Sequence, residues 1–277
     1  MDGKADENIC DPRPLAGRRV VVTRPRGQSE EITSLFEGMG AAVIHCPTIE
    51  IREPDDPSGL DRAIERLETY DWIVFTSANG VDFFFRRLAR KRPDPVSALE
   101  GRLLCAIGPA TAASVEAAGA SVALVASDSK AEGAFAAIVE RLGGEHNVRG
   151  VRFLIPRARI ARDFLPSRLA ELGATVDAVE TYQTVRPNLD SQSIIRLFTE
   201  DRPDVITFTS SSTVTNLASL VGMKDLGGLL AGITIACIGP VTAATAREHG
   251  LTNILQPETY TAAALVEAVA RSIGRNG

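Results

Sequence analysis

The sequence predicts an α/β protein made of two doubly wound parallel-sheet domains, and three observations carry that expectation. Short β-branched runs alternate strictly with amphipathic stretches of helical length, the pattern that places helices on both faces of a parallel sheet. The runs are apolar at nearly every position, as strands covered on both faces require. The chain also repeats itself. At one fixed offset Arg24 falls on Arg157, Gly40 on Gly173, Pro54 on Pro187 and Phe75-Thr76-Ser77 on Phe208-Thr209-Ser210. At a slightly shorter offset Ile107-Gly108-Pro109 falls on Ile238-Gly239-Pro240, and Thr111 on Thr242. A length of 277 residues gives each half enough chain for its own core.

Residues 1–14, charged and proline-containing, read as a flexible tail. Arg19–Thr23 is the first buried strand, broken by Pro25 and Gly27. Ser29-Glu30-Glu31 then starts a helix, with acids in its first turn, and Gly40 ends it. Ala42–Ile44 is a second strand. The same β-α-β order recurs as Val151–Ile155, Phe164–Leu172 and Thr175–Val179. Leu60–Glu68 is amphipathic, Trp72–Phe75 a strand, Ser77–Gly80 a turn and Val81–Arg90 a helix. Leu103–Ile107 is a strand followed by a helix that opens at Gly108-Pro109, where a proline loses no hydrogen bond. That helix ends at Gly119. Val122–Val125 and Glu132–Leu142 complete the half. The second half repeats this order with strand Val205–Phe208, turn Thr209–Ser212 and helix Val214–Leu220. Strand Thr234–Ile238, helix Thr242–His249, strand Asn253–Leu255 and helix Thr261–Ile273 follow.

The repeat alone sets a domain boundary near Gly144–Gly150. A second arrangement has the chain cross early, so that the first β-α-β joins the last third of the sequence. Thr48–Ile51 and Glu180–Val185 would then pair as a two-stranded antiparallel ladder. Their polar alternation, unlike the buried strands, favours that bridge.

Composition excludes several functions. Net charge is −5, and the basic stretch Arg86–Pro95 has no interleaved aromatics, so neither nucleic acid nor an anionic membrane is an expected partner. No run of apolar residues is long enough to span a membrane, and the N-terminus has no signal-peptide core, which points to a cytoplasmic protein. Cys10, Cys46, Cys105 and Cys237 are scattered. They fit a reducing compartment rather than a disulfide or zinc framework. No G-x-G-x-x-G, P-loop or G-x-S-x-G motif is present, and His45, His146 and His249 lie apart, so no metal or histidine-based site is expected.

Ligands of open parallel sheets bind beyond the carboxyl ends of the strands, against helix N-termini. The loops there carry Arg24, Ser77, Asn79 and Thr111 in one half, and Arg157, Ser210, Ser211 and Thr242 in the other. Each is a candidate substrate contact, with the arginines as anion partners. For the hydroxyls, ordinary helix capping is the simpler alternative. The clearest difference between the halves is Tyr182, which replaces Ile49 of the first copy at the junction between the repeats. It is the ionisable group best placed by the repeat, set against the plainer role of a half-buried strand tyrosine.

Taken jointly, VVTRPRGQ (21–28), DWIVFTSANGV (71–81), AIGPATA (106–112), GATVDAVETYQTV (173–185), FTSSSTV (208–214) and CIGPVTAATAREHG (237–250) resemble the uroporphyrinogen-III synthase family over nearly the whole chain. The resemblance implies two Rossmann- or flavodoxin-like domains, residues 15–47 with 186–277 and residues 48–185, joined by the two-stranded ladder, with the site in a cleft between them. It implies a lyase that cyclises linear hydroxymethylbilane to uroporphyrinogen III, inverting ring D through a spiro intermediate with loss of water. It further implies a monomer with no cofactor, fed by hydroxymethylbilane synthase. Tyr182 becomes the acid, and Thr111 and Thr242 match cleft threonines of the family. Two other readings are a non-catalytic two-lobed binding or sensor protein and a two-domain sugar-nucleotide transferase. The second lacks an acidic metal motif here.

Overall fold

The structure, a computed structural model, describes residues 13–126 and 130–273. Cys10 and most of the expected tail lie outside the described residues. The chain forms two compact units, Met1–Glu50 with Val185–Gly277, and Ile51–Thr184.

Along the chain the strands and helices are β1 (Arg19–Val22), α1 (Glu30–Gly38), β2 (Ala42–His45), β3 (Glu50–Arg52), α2 (Ser58–Glu65), β4 (Trp72–Phe75) and α3 (Ala78–Lys91). They continue with β5 (Leu103–Ile107), α4 (Pro109–Ala117), β6 (Leu124–Ala126), α5 (Ala131–Leu142), β7 (Arg152–Ala158), α6 (Phe164–Glu171) and β8 (Thr175–Val185). The last are α7 (Ser191–Thr199), β9 (Val205–Phe208), α8 (Ser211–Val221), β10 (Thr234–Cys237), α9 (Pro240–Glu248), β11 (Ile254–Leu255) and α10 (Ala262–Ile273).

The first unit holds a parallel sheet in the order β11-β10-β9-β1-β2, and the second a sheet in the order β3-β8-β7-β4-β5-β6. The duplication explains both. The first copy of the repeat supplies β1, β2, β4, β5 and β6, and the second supplies β7 to β11. The first unit takes the opening two strands of copy one and the closing three of copy two. The second unit takes the complement. Counted along the repeat, each sheet therefore has strand order 2-1-3-4-5, the flavodoxin-like arrangement. The order reverses between β1 and β9 in one unit and between β7 and β4 in the other, and such switch points open a crevice at the carboxyl ends of the strands.

Alternate strand residues face opposite helix layers. In the first unit Val21, Ile206, Phe208 and Ile235 pack with Phe198, Leu217 and Ala243 on one face, and Val20, Val22 and Val205 pack with Ile32, Phe36 and Val266 on the other. In the second unit Ile73, Phe75 and Leu104 meet Ile64, Phe84 and Val115, while Trp72, Val74 and Phe153 meet Ile138 and Leu169. All these residues are at most 1 % exposed except Leu104, at 3 %.

Four local departures from the sequence reading bear on the site. Helix α3 begins at Ala78 rather than Val81, because the Ser77 side chain caps it by accepting from Gly80 N at 3.1 Å. Helix α8 also begins inside the expected turn, at Ser211, but without a side-chain cap. Strand β7 runs on through Pro156 and Arg157, where the sequence predicts a loop. A proline is tolerated there because β4 pairs with β7 only at Phe153 and Leu154, leaving Pro156 without that neighbour. Finally, β8 is one continuous strand rather than a buried strand followed by a separate ladder segment. It has a bulge opposite Arg157 and Ala158, and β3 lies along it at the sheet edge. Gln183 Nε2 donates to the Glu53 carbonyl at 3.2 Å beside that edge.

Candidate active site

In the second unit β4 delivers Thr76 and Ser77 to the switch point, and β8 delivers Tyr182 opposite Ala158 of β7. The Tyr182 hydroxyl lies 3.1 Å from Ser77 Oγ. Its ring stacks on Phe83 of α3, with centroids 5.8 Å apart at 22°. The Arg86 guanidinium sits 4.4 Å from the Phe83 ring centroid and pairs with Asp82. Tyr182 is 8 % exposed. Gly80 allows this arrangement: a Cβ there would lie 3.3 Å from both Pro156 O and Ser77 Oγ, and 4.0 Å from the tyrosine ring. The tyrosine is therefore held by a hydroxyl, a stacked ring and a helix backbone at once.

Ser77 already accepts the Gly80 N–H, so it keeps one lone pair and its own proton. That proton is available to the Tyr182 oxygen. The Gly80 N–H holds the Ser77 oxygen in place, and the Ser77 hydroxyl is within hydrogen-bond distance of the Tyr182 oxygen.

The matching loop of the first unit is built differently. Ser210 does not cap α8; its Oγ lies 2.9 Å from Ser212 Oγ, and its carbonyl accepts from Thr213 Oγ1 at 2.6 Å. The residue that corresponds to Tyr182 in the repeat is Ile49, so Ser210 has no phenol to engage. Ser211 opens α8, half-buried, with its carbonyl accepting from Thr215 Oγ1 at 3.3 Å. Asn79 is half-buried in the first turn of α3.

Thr111 in the first turn of α4 and Thr242 in the first turn of α9 are each 5 % exposed. Neither hydroxyl has a hydrogen-bond partner among the described residues. Both are placed for an external acceptor or donor. Gly108, before α4, has φ +81°, a value that favours glycine, whereas its counterpart Gly239 is extended at φ −166° and lies against the Tyr260 ring.

The two arginines diverge. Arg24 at the end of β1 is half-buried and has no side-chain partner among the described residues. Arg157 is tied within its own loop: Nη1 donates to Asp163 Oδ1 and Nη2 to the Ala161 carbonyl, both at 2.6 Å. It also lines a pocket of about 400 Å³ with Thr76, Lys130 and Arg162, so its charge reaches the pocket already balanced by Asp163. Lys130 and Arg162 have no signal in the repeat, since their counterparts in the other half are not basic at matched positions. Only the fold brings them to one place.

A family model described as uroporphyrinogen-III synthase HemD matches residues 30–267. The chain belongs to the uroporphyrinogen-III synthase family. A putative uroporphyrinogen-III synthase of Methanothermobacter thermautotrophicus is 33 % identical over 261 residues, covering 93 % of this chain and 99 % of that one. The uroporphyrinogen-III synthase of Chlorobaculum parvum is 28 % identical over 257 residues, covering 92 % and 99 %. Among solved structures, a mutant uroporphyrinogen III synthase of Thermus thermophilus superposes with TM-score 0.55 at 19 % identity, covering 93 % of this chain and 99 % of that one. A uroporphyrinogen-III synthetase of Helicobacter pylori gives 0.54 at 17 %, covering 92 % and 99 %. At such identities the structural matches establish the shared fold. The family is one of porphyrin biosynthesis, and no helix among the described residues is long and apolar enough to cross a membrane.

Proposed function

We propose that this chain is a uroporphyrinogen-III synthase, a lyase that closes linear hydroxymethylbilane to uroporphyrinogen III with inversion of ring D. The Ser77–Tyr182 pair supports that reading most directly, because it supplies a positioned proton donor whose conjugate base is stabilised.

The substrate carries an activated hydroxymethyl group, so the first step needs one proton. Tyr182 donates it to the leaving hydroxyl; the carbon–oxygen bond breaks, water departs, and the pyrrole nitrogen lone pair forms an azafulvene. The substituted carbon of ring D attacks that azafulvene, giving the spiro centre. The bond from the spiro carbon to the ring C methylene then breaks, and that methylene bonds the free α-carbon on the other side of the ring D nitrogen, which inverts the ring. The proton released when aromaticity returns restores Tyr182, so the cycle balances with one water lost. Ser77 lowers the cost of the phenolate in between.

Holding a flexible, carboxylate-rich chain in the conformation that leads to the spiro centre is the larger task. Thr111, Asn79 and Arg157 in the second unit, and Thr242, Ser210, Ser211 and Arg24 in the first, are the proposed substrate contacts. They act with backbone N–H groups at the helix starts. In this reading the enzyme is a cytoplasmic monomer that receives the unstable bilane from hydroxymethylbilane synthase.

The test is an isomer assay: freshly generated hydroxymethylbilane is supplied, and the oxidised products are separated into type I and type III uroporphyrins. Predominantly type III is expected. Type I alone, the product of uncatalysed closure, would leave a non-catalytic binder on the same scaffold.

A further inference from the structure

The pocket of about 400 Å³ in the second unit opens where β4, β5 and β7 end and α5 and α6 begin. Its floor is apolar, with Ile107, Ile155 and Leu165, and its rim is cationic, with Lys130, Arg157 and Arg162. Among the described residues no aspartate or glutamate lines it; Glu132 in the first turn of α5 is exposed and outside it. Asp163 balances Arg157, while Lys130 and Arg162 make no ion pair among the described residues. Among the described residues neither α5 nor α6 has a side-chain cap, so the N–H groups of both helix starts add positive potential to the rim.

Two cations without ion pairs among the described residues, over an apolar floor, select a ligand with the same division: a flat apolar body that carries carboxylates. The volume lies near the lower end of the 300–1,000 Å³ of small-molecule pockets, room for one substituted ring and not for a chain of four. The pocket also joins the proposed acid through consecutive residues, since Thr76 lines it and Ser77 bonds Tyr182. We infer that this pocket seats one pyrrole ring of the substrate, with Lys130 and Arg162 holding its acid arms. The inference rests on the synthase reading for the identity of the ligand and assigns that ligand's anchoring residues.

The probe is porphobilinogen, a single pyrrole with one acetate and one propionate arm, titrated calorimetrically into wild type, Lys130→Gln, Arg162→Gln and a surface control, Arg271→Gln on α10. Lys130 and Arg162 are exposed, so both variants are expected to fold. Loss of one charge-assisted contact is expected to weaken probe binding about tenfold and to raise KM for the bilane in step, with the control unaffected. Binding is also expected to weaken with salt in wild type and less so in the variants.

Equal binding by wild type and both variants, or no binding by wild type at millimolar probe, overturns the pocket assignment. The wild-type isomer assay is read separately. Type III product with unaltered variant binding removes the pocket and keeps the synthase. Probe binding that depends on both cations without type III product keeps the pocket and removes the synthase.

Discussion

Ser77 Oγ lies 3.1 Å from the Tyr182 hydroxyl and the same distance from Gly80 N, so one side chain both caps α3 and holds the phenol. The other half of the duplicated chain has the serine but not the tyrosine. There Ser210 turns to Ser212 instead.

Removing the phenol proton tests the acid. Tyr182→Phe keeps the stacking on Phe83 and is expected to fold as wild type, while turnover to type III falls by about 100-fold or more. Full type III turnover in this variant would take Tyr182 out of the chemistry.

Ser77→Ala removes two hydrogen bonds with separable readouts. Loss of the cap is expected to lower stability by about 1 kcal/mol. Loss of the contact to Tyr182 is expected to slow turnover about 3- to 10-fold. In a Tyr182→Phe background the kinetic effect should vanish while the stability effect persists, a double-mutant cycle that isolates the positioning role.

Gly80→Ala sets helix propensity against crowding. Alanine favours α3 by about 1 kcal/mol, while its Cβ presses on Pro156 O and Ser77 Oγ at 3.3 Å. The denaturation midpoint should move little and turnover should fall. An unchanged rate would show that the Ser77–Tyr182 geometry tolerates displacement.

The Arg87–Asp61 pair ties α3 to α2 through two parallel hydrogen bonds of 2.7 and 2.6 Å. Hydrogen bonding from Arg87 holds the Asp61 carboxyl below its usual range, against the opposing effect of burial. A depressed carboxyl stabilises the fold above its unfolded value near 3.9 and loses that contribution as pH falls through its folded value. Asp61→Asn is expected to cost about 2 kcal/mol at pH 7. In urea titrations the gap to wild type should close below about pH 4; a gap that stayed constant with pH would rule out this linkage.

Burial raises the thiols of Cys46, Cys105 and Cys237 to about 11, 12 and 12. In a Cys10→Ser variant the native protein should react with a disulfide reagent only as fast as it unfolds, because the thiolate is the nucleophile. A thiol titrating within seconds at about pH 8, near the ordinary thiol value, would mean that one of these sites opens in the native state.

Much of the fold was legible in the sequence because its signals are local. Near-continuous apolar runs such as Trp72–Phe75 and Val205–Phe208 name buried parallel strands whatever surrounds them, and the repeat fixes which strands correspond. The repeat also singles out Tyr182 against Ile49. What it could not supply was the partner. Ser77 and Tyr182 are 105 positions apart, and they meet because each sheet combines strands from both copies of the duplication. The same exchange gathers Lys130, Arg157 and Arg162 around one pocket, while the path of the loop after β7 places Asp163 against Arg157, an arginine that in sequence looked free to bind an anion. Hydrophobic periodicity is set by the nearest few residues, so sequence alone determined strands, helices and their order. Side-chain pairing depends on which strand lies next to which, and only the tertiary structure decided that.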